Sequence, residues 1–139
     1  MSTATTEATP FAKTVLLDTD VVIHLLRKKE QIIAQFVLHL QSGGVFLLSP
    51  IVIAEVYAGA FEKEYSDIER LFAFCETLNV DANMARQAGQ YAKTFSKSHQ
   101  GISLEDYLLA ATAAKTQSAL WTLNKKHYPM PKIIFWGAV

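Results

Sequence analysis

Short apolar runs that stop abruptly set the limits on what this chain can fold into. Thr14-Val-Leu-Leu17 ends at Asp18, Val45-Phe-Leu-Leu48 at Ser49-Pro50, and Ser118-Ala-Leu-Trp-Thr-Leu123 at Asn124. Ile133-Ile-Phe-Trp136 is a fourth run, and Leu78-Asn-Val80 a weaker fifth. Runs this short, apolar on successive residues rather than on alternate ones, suit strands buried on both faces, as in parallel sheets. Parallel strands need long crossovers, and the intervening segments read as helices. These cover residues 20–27, 29–42, 50–60, 61–76, 81–97 and 103–116. Ser49-Pro50 and Ser103 are helix-start signals, and Gly43-Gly44 is a stop. Strand and helix alternate, so the expected class is α/β, with a mostly parallel central sheet of four to five strands flanked by helices.

Composition supports one packed domain. Of 139 residues, 50% are hydrophobic and 19% charged, the reverse of a disordered chain. We read residues 1–12 as a flexible polar tail and 13–139 as a single domain. Thirteen Lys and Arg balance thirteen Asp and Glu, which excludes a uniformly basic nucleic-acid-binding surface but not a local patch. No run approaches the ~18 apolar residues of a membrane helix. The single cysteine, Cys75, excludes an internal disulfide or a thiolate zinc site and fits a reducing cytoplasm.

In open α/β sheets, ligands collect beyond the carboxyl ends of the strands. Four segments bring oxygen ligands there: Asp18-Thr-Asp20, Glu55, Glu105-Asp106 and Thr122-Leu-Asn124. Glu55 stands among Ile51, Val52, Ile53, Ala54 and Val56, surroundings in which a carboxylate needs a partner or a metal. Hard oxygen ligands at an open site suit Mg²⁺ or Mn²⁺.

These segments, read as Val15-Leu-Leu-Asp18-Thr-Asp20-Val-Val-Ile23, Ile53-Ala-Glu55-Val, Ile102-Ser-Leu-Glu-Asp106-Tyr and Trp121-Thr-Leu-Asn124-Lys-Lys-His127-Tyr128, resemble the PIN-domain ribonucleases. Within that family they are most similar to the small VapC-type toxins of bacterial toxin–antitoxin pairs. The resemblance spans about residues 14–136. It implies an endoribonuclease that hydrolyses RNA with Mg²⁺- or Mn²⁺-activated water. It assigns the metal acids to Asp18, Glu55 and Asp106, the fourth site position to Asn124, and an ordering hydroxyl to Thr122. Asp20 stands where the family often has Asn, so acid and amide are exchanged between positions 20 and 124.

The resemblance also implies a VapB-like antitoxin. An arginine or lysine of that partner, arginine being the better fit to paired carboxylate oxygens, would enter the carboxylate pocket, and its apolar segment would lie along the helices of residues 50–76, with Tyr57, Phe61 and Phe72 as anchors. A homodimer through an apolar helical face is expected as well.

Plainer readings stand beside these. Asp18 suits a helix cap, Asp106 completes a capping box with Ser103, and Glu105 reads as a solvated first-turn charge. His24, His39, His99 and His127 lack zinc spacing and read as structural or exposed. His127 nevertheless lies in the loop at the active edge. If Asp18, Asp20, Glu55 and Asp106 share a pocket, the remaining surface is basic, and Lys125, Lys126 and Arg27-Lys-Lys29 suit a phosphate backbone. Two other functions remain in view. Leu17-Asp18-Thr-Asp20 resembles the first motif of haloacid-dehalogenase-type phosphatases, and a non-catalytic interaction module of the PIN fold is the other.

Overall fold

The apolar runs become strands, and each break after them becomes a corner where a helix starts. The computed structural model describes residues 13–137, so the expected tail lies outside the described residues. Strands β1 (Thr14–Leu17), β2 (Val45–Leu48), β3 (Glu76–Thr77) and β4 (Ala119–Trp121) form one parallel sheet in the order β3-β2-β1-β4. Six helices flank it: α1 (Thr19–Leu26), α2 (Glu30–Gln41), α3 (Pro50–Ala58), α4 (Tyr65–Phe72), α5 (Ala82–Phe95) and α6 (Leu104–Thr116).

The sequence signals at the helix ends are used as read. Ser49 Oγ accepts from Ile51 N–H at 3.2 Å, with Pro50 in the first turn of α3. Gly43 takes φ +83° just beyond α2, a left-handed conformation that glycine adopts without steric cost. The apolar faces of the helices and of β1, β2 and β4 meet in one core. Val15, Leu16 and Leu17 of β1, Phe46 and Leu48 of β2, and Leu120 of β4 are fully buried. Truncating such a leucine to alanine costs ~2–5 kcal/mol, a large part of a typical domain's stability of ~5–15 kcal/mol. Helix α6 is buried around most of its circumference, through Tyr107, Leu109, Ala110, Ala111, Thr112 and Ala113. Its alanines let α5 pack closely along it.

Three expectations need correction. The third strand lies at Glu76–Thr77, not Leu78–Val80. Its register is set by β2 (Leu47 opposite Glu76, Leu48 opposite Thr77), and β2 stops where Pro50 opens α3, so Asn79 and Val80 have nothing to pair with. The helix expected over 61–76 is shorter. It enters through a 3-10 turn at Glu62–Glu64 and stops at Phe72, which frees residues 76 and 77 for the sheet. The last run, 133–136, makes only one parallel bridge, Leu120 with Phe135. Leu120 N–H donates to Ile134 O, and Trp136 N–H to Leu120 O. Among the described residues the sheet therefore has four strands.

Strand β1 has β2 on one side and β4 on the other. The carboxyl ends of β1 and β4 therefore adjoin at the point where strand order reverses, the usual place for a ligand site in such sheets.

Candidate active site

The site begins where β1 and β4 end together. Leu17 is opposite Trp121, so the next residues on each strand, Asp18 and Thr122, face one another. Asp18 has extended backbone geometry and caps α1, its Oδ1 accepting from Thr19 N–H at 2.7 Å. Its Oδ2 accepts from the Thr122 hydroxyl at 2.7 Å and the Tyr128 hydroxyl at 2.9 Å. The capping reading and the site reading of Asp18 both hold, one for each oxygen. Burial is the largest influence on this carboxyl and raises its pKa; the three hydrogen bonds oppose the rise, and Asp106 adds to it.

Tyr128 is the centre that sequence reasoning missed. It is 2% exposed, and its hydroxyl lies 2.9 Å from Asp18 Oδ2 and 3.3 Å from Asp106 Oδ1. Burial and the surrounding carboxylates push the phenol well above its ordinary pKa, so it remains a proton donor between two acids. The available signal was the spacing in Asn124-Lys-Lys-His-Tyr128. A 3-10 turn over Lys125–His127 swings the tyrosine back under the end of the sheet.

Asp106 reaches the same place from the first turn of α6. It forms the expected capping box: its N–H donates to Ser103 Oγ at 3.1 Å and its Oδ2 accepts from Ser103 N–H at 3.2 Å. The same Oδ2 lies 2.9 Å from His127 Nδ1. His127 is thus neither a core residue nor a bystander, and the carboxylate cluster has an imidazole at its rim. Glu105 is exposed, as read.

Asp20 is held from the β4 side, its Oδ2 accepting from Leu123 N–H at 3.0 Å. Its Oδ1 is buried without a hydrogen-bond partner. Burial first, and the neighbouring Asp18 second, push its carboxyl up to about 6.

Glu55 corrects the sequence argument that singled it out. Its neighbours Val52 and Val56 are buried, but Glu55 itself is exposed, at the flank of the buried face of α3, where its side chain reaches Thr19 rather than the core. It is tied to the site through Thr19, whose hydroxyl donates to Oε1 at 2.6 Å. Thr122 is buried and central. Asn124 gives its backbone N–H to Thr122 Oγ at 3.0 Å, while its exposed side chain makes no hydrogen bond to the acids. The structure therefore brings together Asp18, Asp106, Asp20, Thr122 and Tyr128. Glu55 and Asn124 stand at the margin.

Among the described residues, no three acidic, histidine or cysteine side chains converge into a ready-made metal cage. The donor set nevertheless fits a hard divalent cation. Such an ion keeps several waters and takes only one or two protein carboxylates, and Asp18 and Asp106 share one phenol hydroxyl. Asp20 Oδ1, a buried acceptor without a donor, is a costly arrangement that a cation would relieve.

Residues 15–133 match the PIN domain family. Ribonuclease VapC19 of Mycobacterium tuberculosis is 32% identical over 115 residues, spanning 83% of this chain and 92% of that protein. Ribonuclease VapC10 of the same organism is 33% identical over 118 residues, spanning 84% and 86%. The structure of VapBC-1 from nontypeable Haemophilus influenzae superposes with a TM-score of 0.73 at 26% identity, over 89% of this chain and 96% of that one. VapBC2 from Rickettsia felis, bound to a promoter DNA fragment, shares the fold with a TM-score of 0.77 at 21% identity, over 88% and 96%. Matches of this extent, on a parallel sheet whose adjoining β1 and β4 ends carry the acids, mean that the chain belongs to the PIN-domain family and, within it, to the VapC ribonucleases.

Proposed function

We propose that this chain is an endoribonuclease dependent on Mg²⁺ or Mn²⁺, and the toxin half of a toxin–antitoxin pair. The observation that carries this reading is the Asp18–Tyr128–Asp106 bridge at the β1/β4 edge, together with family membership. Asp18 and Asp106 would hold the ion, with Asp20 beside them and Glu55 joining from α3. When bound, that ion supplies charge for the phosphate and lowers the pKa of water. Thr122 and Tyr128 keep the two carboxylates oriented by donating to them. An oxygen-only donor set argues for Mg²⁺ or Mn²⁺ over zinc. Membership of the PIN-domain family, with ribonuclease relatives over most of the chain, argues against the phosphatase alternative.

The partner we propose is a VapB-like antitoxin. A cavity of about 120 Å³ opens between α1, α3 and α4, with Ile23, Leu26, Val56 and Ile68 among its apolar lining and Arg27, Glu55 and Glu64 as charged lining. An amphipathic antitoxin segment suits that groove. Of the expected anchors, Phe61 is 71% exposed and available, whereas Phe72 is 9% exposed and belongs to the core. Tyr57 is half-buried beside Tyr65. An antitoxin arginine placed among Asp18, Asp20 and Asp106 would neutralise them. The cytoplasm suits this role, and Cys75, whose thiol is pushed up to about 12 by burial, is unreactive there.

The test is RNA cleavage by the purified chain with Mg²⁺ or Mn²⁺. Cleavage must stop with EDTA and with Asp18→Asn, and production of the chain alone must slow bacterial growth until the antitoxin is co-produced. Full cleavage in excess EDTA, or an unimpaired Asp18→Asn variant, would overturn the reading.

A further inference from the structure

The loop from Thr122 to Lys126 has two sides. On one, Thr122 and Leu123 donate to Asp18 and Asp20. On the other, the same two residues line a cleft of about 430 Å³ together with Asn124, Lys125, Lys126 and Ile32. That volume lies in the ~300–1,000 Å³ range of small-ligand sites. Among the described residues two lysines line the cleft and no carboxylate does, although only the width of the loop separates it from the acid cluster. Lys125 Nζ sits 5.5 Å from the Phe135 ring centroid, a cation–π contact that limits where its charge can go. Leu123 is 45% exposed at the lip.

We propose that this cleft is a substrate subsite, which takes one unpaired nucleotide of the RNA strand next to the scissile phosphate. The neighbouring phosphate rests on Lys125 and Lys126, and the base lies against Leu123 and Ile32. The inference rests on the ribonuclease reading of the adjoining acids. A strand crossing the loop carries one phosphate to the carboxylate side, where a cation is needed, and the next to the lysine side, where none is. With a cation on the carboxylates, both sides of the loop would offer positive charge to successive phosphates. The size of the cleft adds selectivity: one splayed base enters, whereas the stacked, paired bases of a duplex do not. The substrate class is therefore single-stranded RNA or an unpaired loop.

The experiment compares the wild type with the double variant Lys125→Ala/Lys126→Ala. The probe is a fluorescent unpaired RNA oligonucleotide, titrated in EDTA over a range of salt concentrations. Affinity should fall about tenfold, and the slope of log K against log salt should shrink by about 0.7 for each phosphate that a lysine no longer neutralises. With Mn²⁺, the loss should appear in KM rather than kcat. The variant Lys125→Arg/Lys126→Arg should restore binding, and a duplex should compete poorly. Unchanged affinity, slope and KM in the alanine variant, while the wild type still cuts RNA, would overturn the subsite and leave the ribonuclease standing. Unchanged RNA binding with weakened antitoxin capture would make the cleft a protein-docking surface and overturn it too. A wild type that cuts no RNA would overturn both readings.

Discussion

Thr122 Oγ donates to Asp18 Oδ2 at 2.7 Å across a sequence separation of 104 residues. The pairing of β1 with β4 brings them together, and Asp18 N–H seals the corner by donating to Trp121 O at 3.0 Å. The threonine proton is committed to Asp18, so the hydroxyl lone pairs are free to accept Asn124 N–H. One side chain thereby orients the carboxylate and shapes the loop that follows.

Thr122→Val keeps the shape and removes the hydroxyl. Asp18 loses a donor and Asn124 N–H loses its acceptor. A destabilisation of ~1–3 kcal/mol follows from the unsatisfied groups, with a ~10–100-fold loss of cleavage, as for other residues that orient metal ligands. Thr122→Ser should recover most of both. Chemical denaturation and initial cleavage rates report the two effects separately, and a fully active Thr122→Val would remove the hydroxyl from the site.

Tyr128→Phe deletes the one group that, among the described residues, hydrogen-bonds to both Asp18 and Asp106. The ring still fills its buried position, so the fold should persist. Mn²⁺ affinity, read by electron paramagnetic resonance, should fall ~10–100-fold, with cleavage falling in parallel. Unchanged Mn²⁺ affinity would show that the carboxylates hold their spacing without the phenol.

The frame of this site was legible in the sequence because each acid directly follows or precedes a strong local signal. Asp18 ends an apolar run, Asp106 sits three residues after a capping serine, and Thr122 lies near the end of the apolar run that becomes β4. What was not legible depends on tertiary placement. Glu55 has apolar neighbours in sequence, yet it is exposed at the flank of the buried face of α3. Tyr128 and His127 reach the acids only because a 3-10 turn bends the chain back, and no periodicity announces a single turn. The two-residue strand at Glu76–Thr77 is polar and exposed; it is a strand only because β2 is there to pair with it.

Stability should depend on pH through Asp20. Its carboxyl is raised from 3.8 to about 6, chiefly by burial. Between those values the folded protein still holds a proton that the unfolded chain has released, so this group's contribution to stability falls as pH rises from about 4 to about 6. Asp18 is shifted in the same direction. In EDTA, the urea midpoint of the wild type relative to Asp20→Asn should decline across that window, and saturating Mg²⁺ should reverse the decline. A difference that stays flat from pH 4 to 7 would mean that Asp20 pays no burial penalty.

Glu55→Gln and Asp106→Asn separate a role in chemistry from a role in folding. Glu55 is exposed and accepts one hydrogen bond, from Thr19, which a glutamine oxygen accepts as well. Its replacement should leave stability within ~0.5 kcal/mol, the usual range for surface substitutions. Asp106→Asn keeps an acceptor for Ser103 N–H, so the capping box loses at most the ~0.5–2 kcal/mol that removing a cap costs. Both variants remove a negative charge from the cation's surroundings. Cleavage should therefore fall by more than ~100-fold, beyond what loss of an orienting partner alone produces, while thermal unfolding in EDTA moves by only a few degrees. An Asp106→Asn protein that cuts RNA normally but melts early would reduce Asp106 to a cap. A Glu55→Gln protein with full activity would confine the chemistry to the β1, β4 and α6 side of the site.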